Sequence, residues 1–432
     1  MKTLVLTLAL LVSFASMAFA QTGGLLQNLS LGGGDTLNFY GRAQGDGYLE
    51  SLKDNVLNND RIWLYMKEAR FGLKDHYDGI TFDFQMALGG EEVSLSNGQV
   101  LTLLDMNADI PLFGSYFVKA GQFKVPFGRE AMENSGFLMF NDRSIQYVAS
   151  KVGRDVGAIL HGNSGILTTT VGVVTGGGRD VPLRFLPEDL GCPMLVARVG
   201  LNDNFDQDNL DLRETNNGPS GYAIDIDGLY TRDSRIGHST VLNVKGIDKD
   251  LLIDANYNPY IGIHPYSQGV YWKLGFDGGV RSTSNKTSYA LEWELDQEGY
   301  QNDYGGLHNT CGQAQMSMRN ETCGFGVRYA FYEPDQNFTY VSGANAYPIM
   351  GTTLVNELTL GAQWFLYNEH VKIGLDLPIL FNAPVITEAG IGSYLLTEQP
   401  DQVTVLSGAN HPTVVRETVI QVRAQVQYQF GL

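Results

Sequence analysis

Residues 115–130 read SYFVKAGQFKVPFGRE, and residues 153–163 read GRDVGAILHGN. Between Gly121 and Phe127 the side chains alternate. Phe123, Val125 and Phe127 share one face, and Gln122 and Lys124 share the other. A period of two is the signature of a strand, because successive side chains point to opposite faces. A soluble sandwich would hide the aromatic face in a core, whereas a membrane barrel turns it to lipid and leaves the polar face in a wet lumen. The segment from Gly128 to Val152 is too long for a hairpin turn. It mixes Arg129, Glu130, Glu133, Asp142, Arg143 and Lys151 with Phe137, Met139 and Phe140. Long connections without structure of their own are functional or disordered, and this one reads as a loop folded into a pore.

The rest of the chain repeats the alternation. Ile80, Phe82, Phe84, Met86 and Leu88 are interleaved with Thr81, Asp83 and Gln85. Tyr289, Leu291, Trp293 and Leu295 oppose Glu292, Glu294 and Asp296. The last run is the longest. Ile420, Val422, Ala424, Val426, Tyr428 and Phe430 share a face, with Gln421, Arg423, Gln425, Gln427 and Gln429 opposite. A row of glutamines turned into a dry core would leave many amides unsatisfied, but facing water it costs nothing. Tight connections (HYDG, PLFG, GNSG, SNKT, RNET, YNEH) alternate with long ones (51–60, 89–100, 128–152, 177–193, 299–309, 334–353, 382–412). Short turns at one rim and long loops at the other belong to a transmembrane barrel. The reading is an all-β, transmembrane antiparallel β-barrel of about 16 strands, with an inward-folded loop after strand 5. Residues 202–221, which should be a tight turn, and 233–269 fit this scheme poorly.

Composition bounds the alternatives. The chain has 432 residues, a net charge of -18, 51 glycines, 14 prolines and three cysteines. No apolar run after residue 20 approaches the ~20 residues a spanning helix needs. Residues 1–20 hold Lys2, an apolar run and Ala18-Phe19-Ala20, the pattern of a cleavable signal peptide, with a membrane anchor as the other reading. The mature chain, 21–432, is then one outer-membrane barrel domain. The acidic balance argues against nucleic acid. No G-x-S-x-G motif or Ser/His/Asp spacing indicates an enzyme, and no C-x-x-C-H indicates a bound haem. Asp203, Asp206, Asp208 and Asp211 lack the glycine and terminal glutamate of a calcium loop. No metal or other cofactor is expected.

Strand registers place Arg42, Arg70, Lys74, Lys124, Arg328, Lys372 and Arg423 on the inner face. Asp83, Asp105, Asp109, Asp225, Asp227, Glu292, Glu294 and Asp296 face inward mainly from other strands. A basic and an acidic wall would set a field across the pore. Equally, these groups could pair with one another as a salt-bridged lining. The loop cations Arg129, Arg143, Lys151 and Arg154 could face a constriction, where forked guanidinium groups suit oxyanions. Alternatively Arg154 pins the loop to the wall through Glu130 or Glu133. Cys311 and Cys323 flank a turn and form a candidate disulfide. Cys192 leaves another pairing open.

KAGQFKVPFG at 119–128, GRDVGAILHG at 153–162, GFGVRYAFYEPD at 324–335, ELTLGAQWFLYNEHVKIGLDL at 357–377 and the closing VRAQVQYQF resemble the phosphate-selective porin O and P family of bacterial outer-membrane channels. The resemblance implies about sixteen strands, an inward loop after the fifth, assembly as a homotrimer, and anion preference through lumen arginines and lysines. The expected function is passive diffusion of small hydrophilic, phosphate-like anionic solutes across the outer membrane. The alternative is a structural sleeve that holds an exported partner such as a cytochrome, which would need a wide, uncharged lumen.

Overall fold

The computed structural model describes residues 29–32, 35–51, 61–90, 101–150, 152–176, 193–202, 221–234, 269–302, 305–333, 339–342, 345–348, 354–367, 370–388, 391–394 and 413–431. Sixteen antiparallel strands close on themselves. They are β1 (Asp35–Ser51), β2 (Arg61–Tyr77), β3 (Ile80–Gly90), β4 (Thr102–Phe113), β5 (Tyr116–Lys124), β6 (Arg154–Ser164), β7 (Leu167–Val174) and β8 (Met194–Leu201). Then come β9 (Gly221–Ser234), β10 (Gly269–Ser284), β11 (Thr287–Asn302), β12 (Gly305–Arg319), β13 (Cys323–Glu333), β14 (Val355–Leu366), β15 (Val371–Glu388) and β16 (Thr413–Phe430). Each strand pairs with the next in sequence, and β16 also pairs with β1, setting Gln427 opposite Gln44 and Phe430 opposite Gly41. Closure removes the exposed strand edges. Among the described residues no helix is long and apolar enough to cross a membrane.

The alternation dictates the faces. Gln421, Gln425 and Gln427 are at most 1% exposed inside, while Ile420 and Val422 are 39% and 40% exposed outside. Phe82 and Trp364 are exposed on the outer face, and Phe84 and Trp293 are half-buried. Tyr428 lies in the same outward row but is buried, with its ring 6.2 Å from that of Phe430. The tight turns have the expected chemistry. Asp78 and Gly79 after β2, and Asn285 and Lys286 after β10, all have positive φ, which matches the twist of two-residue hairpins.

Several expectations change. The strand carrying Lys124 ends there, so Val125 and Phe127 lie inside the barrel and not against lipid. Phe123, Val125 and Phe127 are all buried, and the Lys273 ammonium sits 4.5 Å from the centre of the Phe127 ring. Pro126 cannot donate to a ladder, and Gly128, at φ 72°, turns the chain into the lumen. The long connection expected at 299–309 is mostly strand, because β11 and β12 run to Asn302 and from Gly305. Cys311 and Cys323 are not bridged to each other. Cys311 pairs with Tyr332 and Cys323 with Trp364, at opposite ends of their hairpin. Eight residues of strand separate Cys311 from Arg319 at the turn, about 26 Å, whereas a disulfide holds its Cα atoms within about 7 Å. Residues 1–20, Lys151, Cys192, the aspartates at 203–211 and most of 202–221 and 233–269 lie outside the described residues.

Two outcomes check the fold. Val422→Arg turns a charge to lipid and should lower barrel stability by about 2–4 kcal/mol if it sits near the midplane, read by folding titrations in vesicles. Mass mapping without reductant should recover the Cys311 and Cys323 peptides unlinked to each other.

Candidate pore constriction

The segment after β5 enters the lumen and carries two short helices, α1 (Arg129–Met132) and α2 (Ile145–Ser150). A main chain inside a barrel must satisfy its own N–H and C=O groups. The barrel wall does this with its charged and amide side chains. On the N–H side, Gly128 donates to Asp227 Oδ2 (2.8 Å), Glu130 to Glu294 Oε2 (2.9 Å), Asn141 to Asp376 Oδ2 (2.5 Å) and Ile145 to Glu357 Oε2 (2.9 Å). On the C=O side, Lys372 Nζ donates to the carbonyls of Gly136 and Leu138, both at 3.2 Å. Lys67 reaches the Asn141 carbonyl at 2.6 Å, and Arg328 the Asp142 carbonyl at 3.0 Å. Gln363 donates to Leu138 and Met139, Gln425 to Asn141 and Gln427 to Gly136. The glutamine row of the last strand is therefore buried against a polypeptide and not left facing water, with Gln429 its most exposed member at 8%.

Side chains complete the seat. Arg42 bonds Glu68 Oε2 through Nε (3.0 Å) and Nη2 (2.7 Å), and also holds Asn134 and Ser135 of the loop. Arg328 bonds Glu357 at 2.7 Å and Glu130 at 3.3 Å, and lies over the Phe140 ring. Arg423 and Lys67 converge on the Asp142 carboxylate. Glu130 ties the two limbs of the loop, accepting from Ser144 N (2.8 Å) and Ser144 Oγ (2.5 Å). Burial holds the Glu130 carboxyl above its ordinary range, against the pull of Arg328 and the Ser144 donors. The wall under the tip is flat because Gly361 and Gly374 stand where Phe140 and Asn141 press against it. A Cβ on Gly361 would come within 2.8 Å of the Phe140 ring, and one on Gly374 would collide with the Asn141 amide.

The loop divides the expected cations into two groups. Arg42, Arg328, Lys372 and Arg423 are buried beneath it and act as clamps. Arg70, Lys74, Lys124, Arg129, Arg143 and Arg154 keep partial exposure on the loop and the facing wall. Lys124 Nζ and Arg143 Nη2 both donate to the Glu133 carbonyl, at 3.0 and 2.8 Å, so the two cations lie side by side. Arg154 has its strongest contact with the wall and not with Glu130 or Glu133 of the loop. It forks onto Asp105, with Nε 2.9 and 3.0 Å from the two carboxylate oxygens and Nη2 at 2.9 Å, and reaches Gln85 at 3.3 Å. The half-exposed carboxylates among these groups are Asp83 and Glu133. Asp83 accepts from the Tyr40 hydroxyl at 2.6 Å.

The two-wall picture also needs completing. The acidic wall contains Arg198, bonded to Asp225, Asp227 and Asp277, and Lys273, 4.0 Å from Asp296. Arg129 crosses from the loop to Glu292 at 3.0 Å. Arg198 and Lys273 occupy alternating inward positions in their strands, so the same register rule finds them once β8 and β10 are read in full.

A closed sixteen-strand barrel with a loop seated across its lumen is the architecture of outer-membrane porins, and solved porins share the fold. The Salmonella typhi OmpF complex with daunomycin matches at a TM-score of 0.53 with 10% identity, covering 94% of this chain and 100% of that one. The trimer form of OmpT from Vibrio cholerae matches at 0.51 with 9% identity, covering 92% and 99%. The DcaP channel of Acinetobacter baumannii matches at 0.51 with 10% identity, covering 94% and 100%. Residues 37–182, which include most of β1, all of β2 to β7 and the whole loop, match the family model of the phosphate-selective porin O and P, the same family that the sequence motifs resemble. No curated protein matches the chain.

Gly361→Leu changes no charge but overpacks the bed under Phe140, at a cost of about 1–3 kcal/mol. The variant should show higher single-channel conductance and faster protease cleavage within residues 128–150 than the unmodified protein. Equal values would mean that the loop does not rest on this bed.

Proposed function

We propose that the chain is an outer-membrane porin of the phosphate-selective O and P type, passing small hydrophilic anions by diffusion. The observation that carries this reading is local charge. Lys74, Lys124 and Arg143 are partly exposed beside two partly exposed carboxylates, Asp83 and Glu133, while Arg70, Arg129 and Arg154 are paired with Glu68, Glu292 and Asp105. The net charge of -18 does not decide the matter, because much of the acidic wall is engaged by Arg198, Lys273 and the loop N–H groups. In a narrow, partly desolvated passage a nearby charge is felt more strongly than in bulk water. The paired Lys124 and Arg143 suit an oxyanion, which offers several acceptor oxygens at once.

Export by a signal peptide at residues 1–20, insertion in the bacterial outer membrane and assembly as a homotrimer belong to the same proposal. They are supported by the signal-like N-terminal sequence and by the porin fold. The channel reading is favoured over a sleeve because a loop gripped across the lumen leaves no open bore for a protein partner. The fold and its wall are those of a channel and give no reason to expect an enzyme.

The reversal potential in a potassium chloride gradient should show anion preference. Lys124→Glu and Lys74→Glu should each shift the permeability ratio toward cations by at least about 1 kcal/mol, roughly five-fold. Arg42→Glu, although equally basic in sequence, should mainly raise conductance by unseating the loop from Glu68 and Ser135. Cation preference in the unmodified protein would overturn the anion reading and leave only the porin fold.

A further inference from the structure

The outer face of β9 to β12 changes character at one end. Tyr230, Trp272, Gly299 and His308 lie side by side on these neighbouring strands, paired in that order. A Cβ on Gly299 would collide with the Trp272 indole. The indole therefore lies across the glycine and reaches His308, with ring centres 6.0 Å apart. Arg232 projects from the next outward position of β9 and donates from Nε to the Tyr230 hydroxyl at 3.1 Å. Arg232 and His308 are exposed, as is Gln297, one outward step below Gly299. Beneath them come Leu274, Phe276, Leu295 and Met316, all apolar and exposed. Beyond Tyr230 the row continues into Leu195 and Val173, so the polar patch belongs to β9–β12.

Its height follows from the strands. Arg232 lies near the end of β9 and Trp272 near the start of β10. This is the end away from the Asn285–Lys286 turn, and tight turns lie at the periplasmic rim. The patch therefore sits at the extracellular interface. A charge on the lipid face is costly at the midplane and almost free at the interface, which is where Arg232 is found. Aromatic girdles occupy this depth, but a girdle alone does not call for a guanidinium, an imidazole and an amide around one flat indole. That set suits a sugar phosphate. The C–H groups of a sugar ring pack on the electron-rich face of an indole. Arginine takes phosphate oxygens on its fork, and histidine and glutamine supply N–H donors. The apolar wall beneath gives acyl chains a surface. Glu333, exposed and paired with Thr310, stands at the far edge of the patch, away from Arg232.

We propose that the outer face of β9 to β12, at the extracellular rim, holds the headgroup of a phosphorylated glycolipid of the outer leaflet. The sugar lies on Trp272, a phosphate meets Arg232 and His308, and the chains run down over Leu274, Phe276 and Leu295. The proposal rests on the outer-membrane reading and is independent of which ions the lumen passes.

The probe is lipid A bearing two phosphates, bound to the full-length protein in detergent and counted by native mass spectrometry. The unmodified barrel should retain it over the same glycolipid stripped of phosphate, and over phosphatidylglycerol, which has the charge but no sugar ring. Arg232→Gln should weaken retention by roughly five-fold, the effect of about 1 kcal/mol for one basic residue at an anionic surface, and Arg232→Lys should largely keep it. Trp272→Leu stays apolar but removes the platform, and should erase the preference over phosphatidylglycerol. Heat-modifiable gel migration confirms that each variant is folded, and conductance should be unchanged because these side chains face away from the lumen. Equal retention of the three lipids overturns the proposal, as does equal retention of lipid A by Arg232→Gln and Trp272→Leu. A photo-reactive residue in place of His308 that captures a second copy of the chain and no lipid also overturns it. A barrel that inserts into phosphatidylglycerol vesicles yet shows no choice among the lipids loses this proposal and keeps the membrane reading. A barrel that inserts into no vesicle loses both.

Discussion

An internal polypeptide needs a partner for nearly every N–H and C=O, and this constraint shapes the lumen more than any other. The loop from Gly128 to Ser150 carries those groups into a space where the wall must supply partners. The wall answers with carboxylates under the N–H groups of Gly128, Glu130, Asn141 and Ile145. It answers with lysine, arginine and glutamine under the carbonyls of Gly136, Leu138, Met139, Asn141 and Asp142. A hydrogen bond to a charged group contributes about 1.5–3 kcal/mol, against 0.5–1.5 for a neutral one. A loop held by several such bonds has a defined position, and the passage it leaves has a defined width.

This division of labour explains why the overall charge is a poor guide to the passage. Acidic residues outnumber basic ones across the chain, yet Asp227, Glu294, Asp376 and Glu357 are buried acceptors for the loop, and Asp225 and Asp277 are bonded to Arg198. Their fields are partly offset at short range by the donors they hold. What a solute meets are the groups left half-exposed. Salt-bridged lining and pore field, which looked like alternatives in the sequence, coexist on one wall, since Arg70, Arg129 and Arg154 pair with Glu68, Glu292 and Asp105.

Much of the fold was legible because alternation is a one-dimensional signal. The final strand alone fixes inside and outside, since glutamine and valine cannot exchange faces without a slip that moves every neighbour. The inward loop was legible from its length and its place after Lys124. The errors came where two-dimensional information was needed. Phe127 continues the alternation of the strand before it, and only the end of the ladder at Lys124 shows that it has left the wall. Cys311 and Cys323 are close in sequence, but a hairpin separates positions that are not equidistant from its turn. Arg154 found Asp105 on a strand nearly fifty residues earlier, because β4 and β6 both flank β5. The site was the least legible part. Arg42 and Lys124 look alike in sequence, each an inward cation on an alternating strand. Which one is covered depends on where the loop lies, and that depends on Gly361 and Gly374 leaving room on the opposite wall.

The same argument limits how such a channel can change. A cation sealed beneath the loop cannot reach a passing anion, so selectivity must be set by positions that the loop does not cover. Those positions lie on the loop itself and on the wall from β2 to β6, where Lys74, Asp83, Gln85, Asn107 and Arg154 remain half-exposed. Substitutions there alter the field and leave the seat intact. Substitutions at Arg328, Lys372, Glu357 or Asp376 remove one half of a buried contact and leave the other half unpaired, which costs more than the contact was worth. The circumference of the barrel is thereby split into a sector that holds the constriction and a sector that reads the solute, and the second can vary in charge while the first stays fixed.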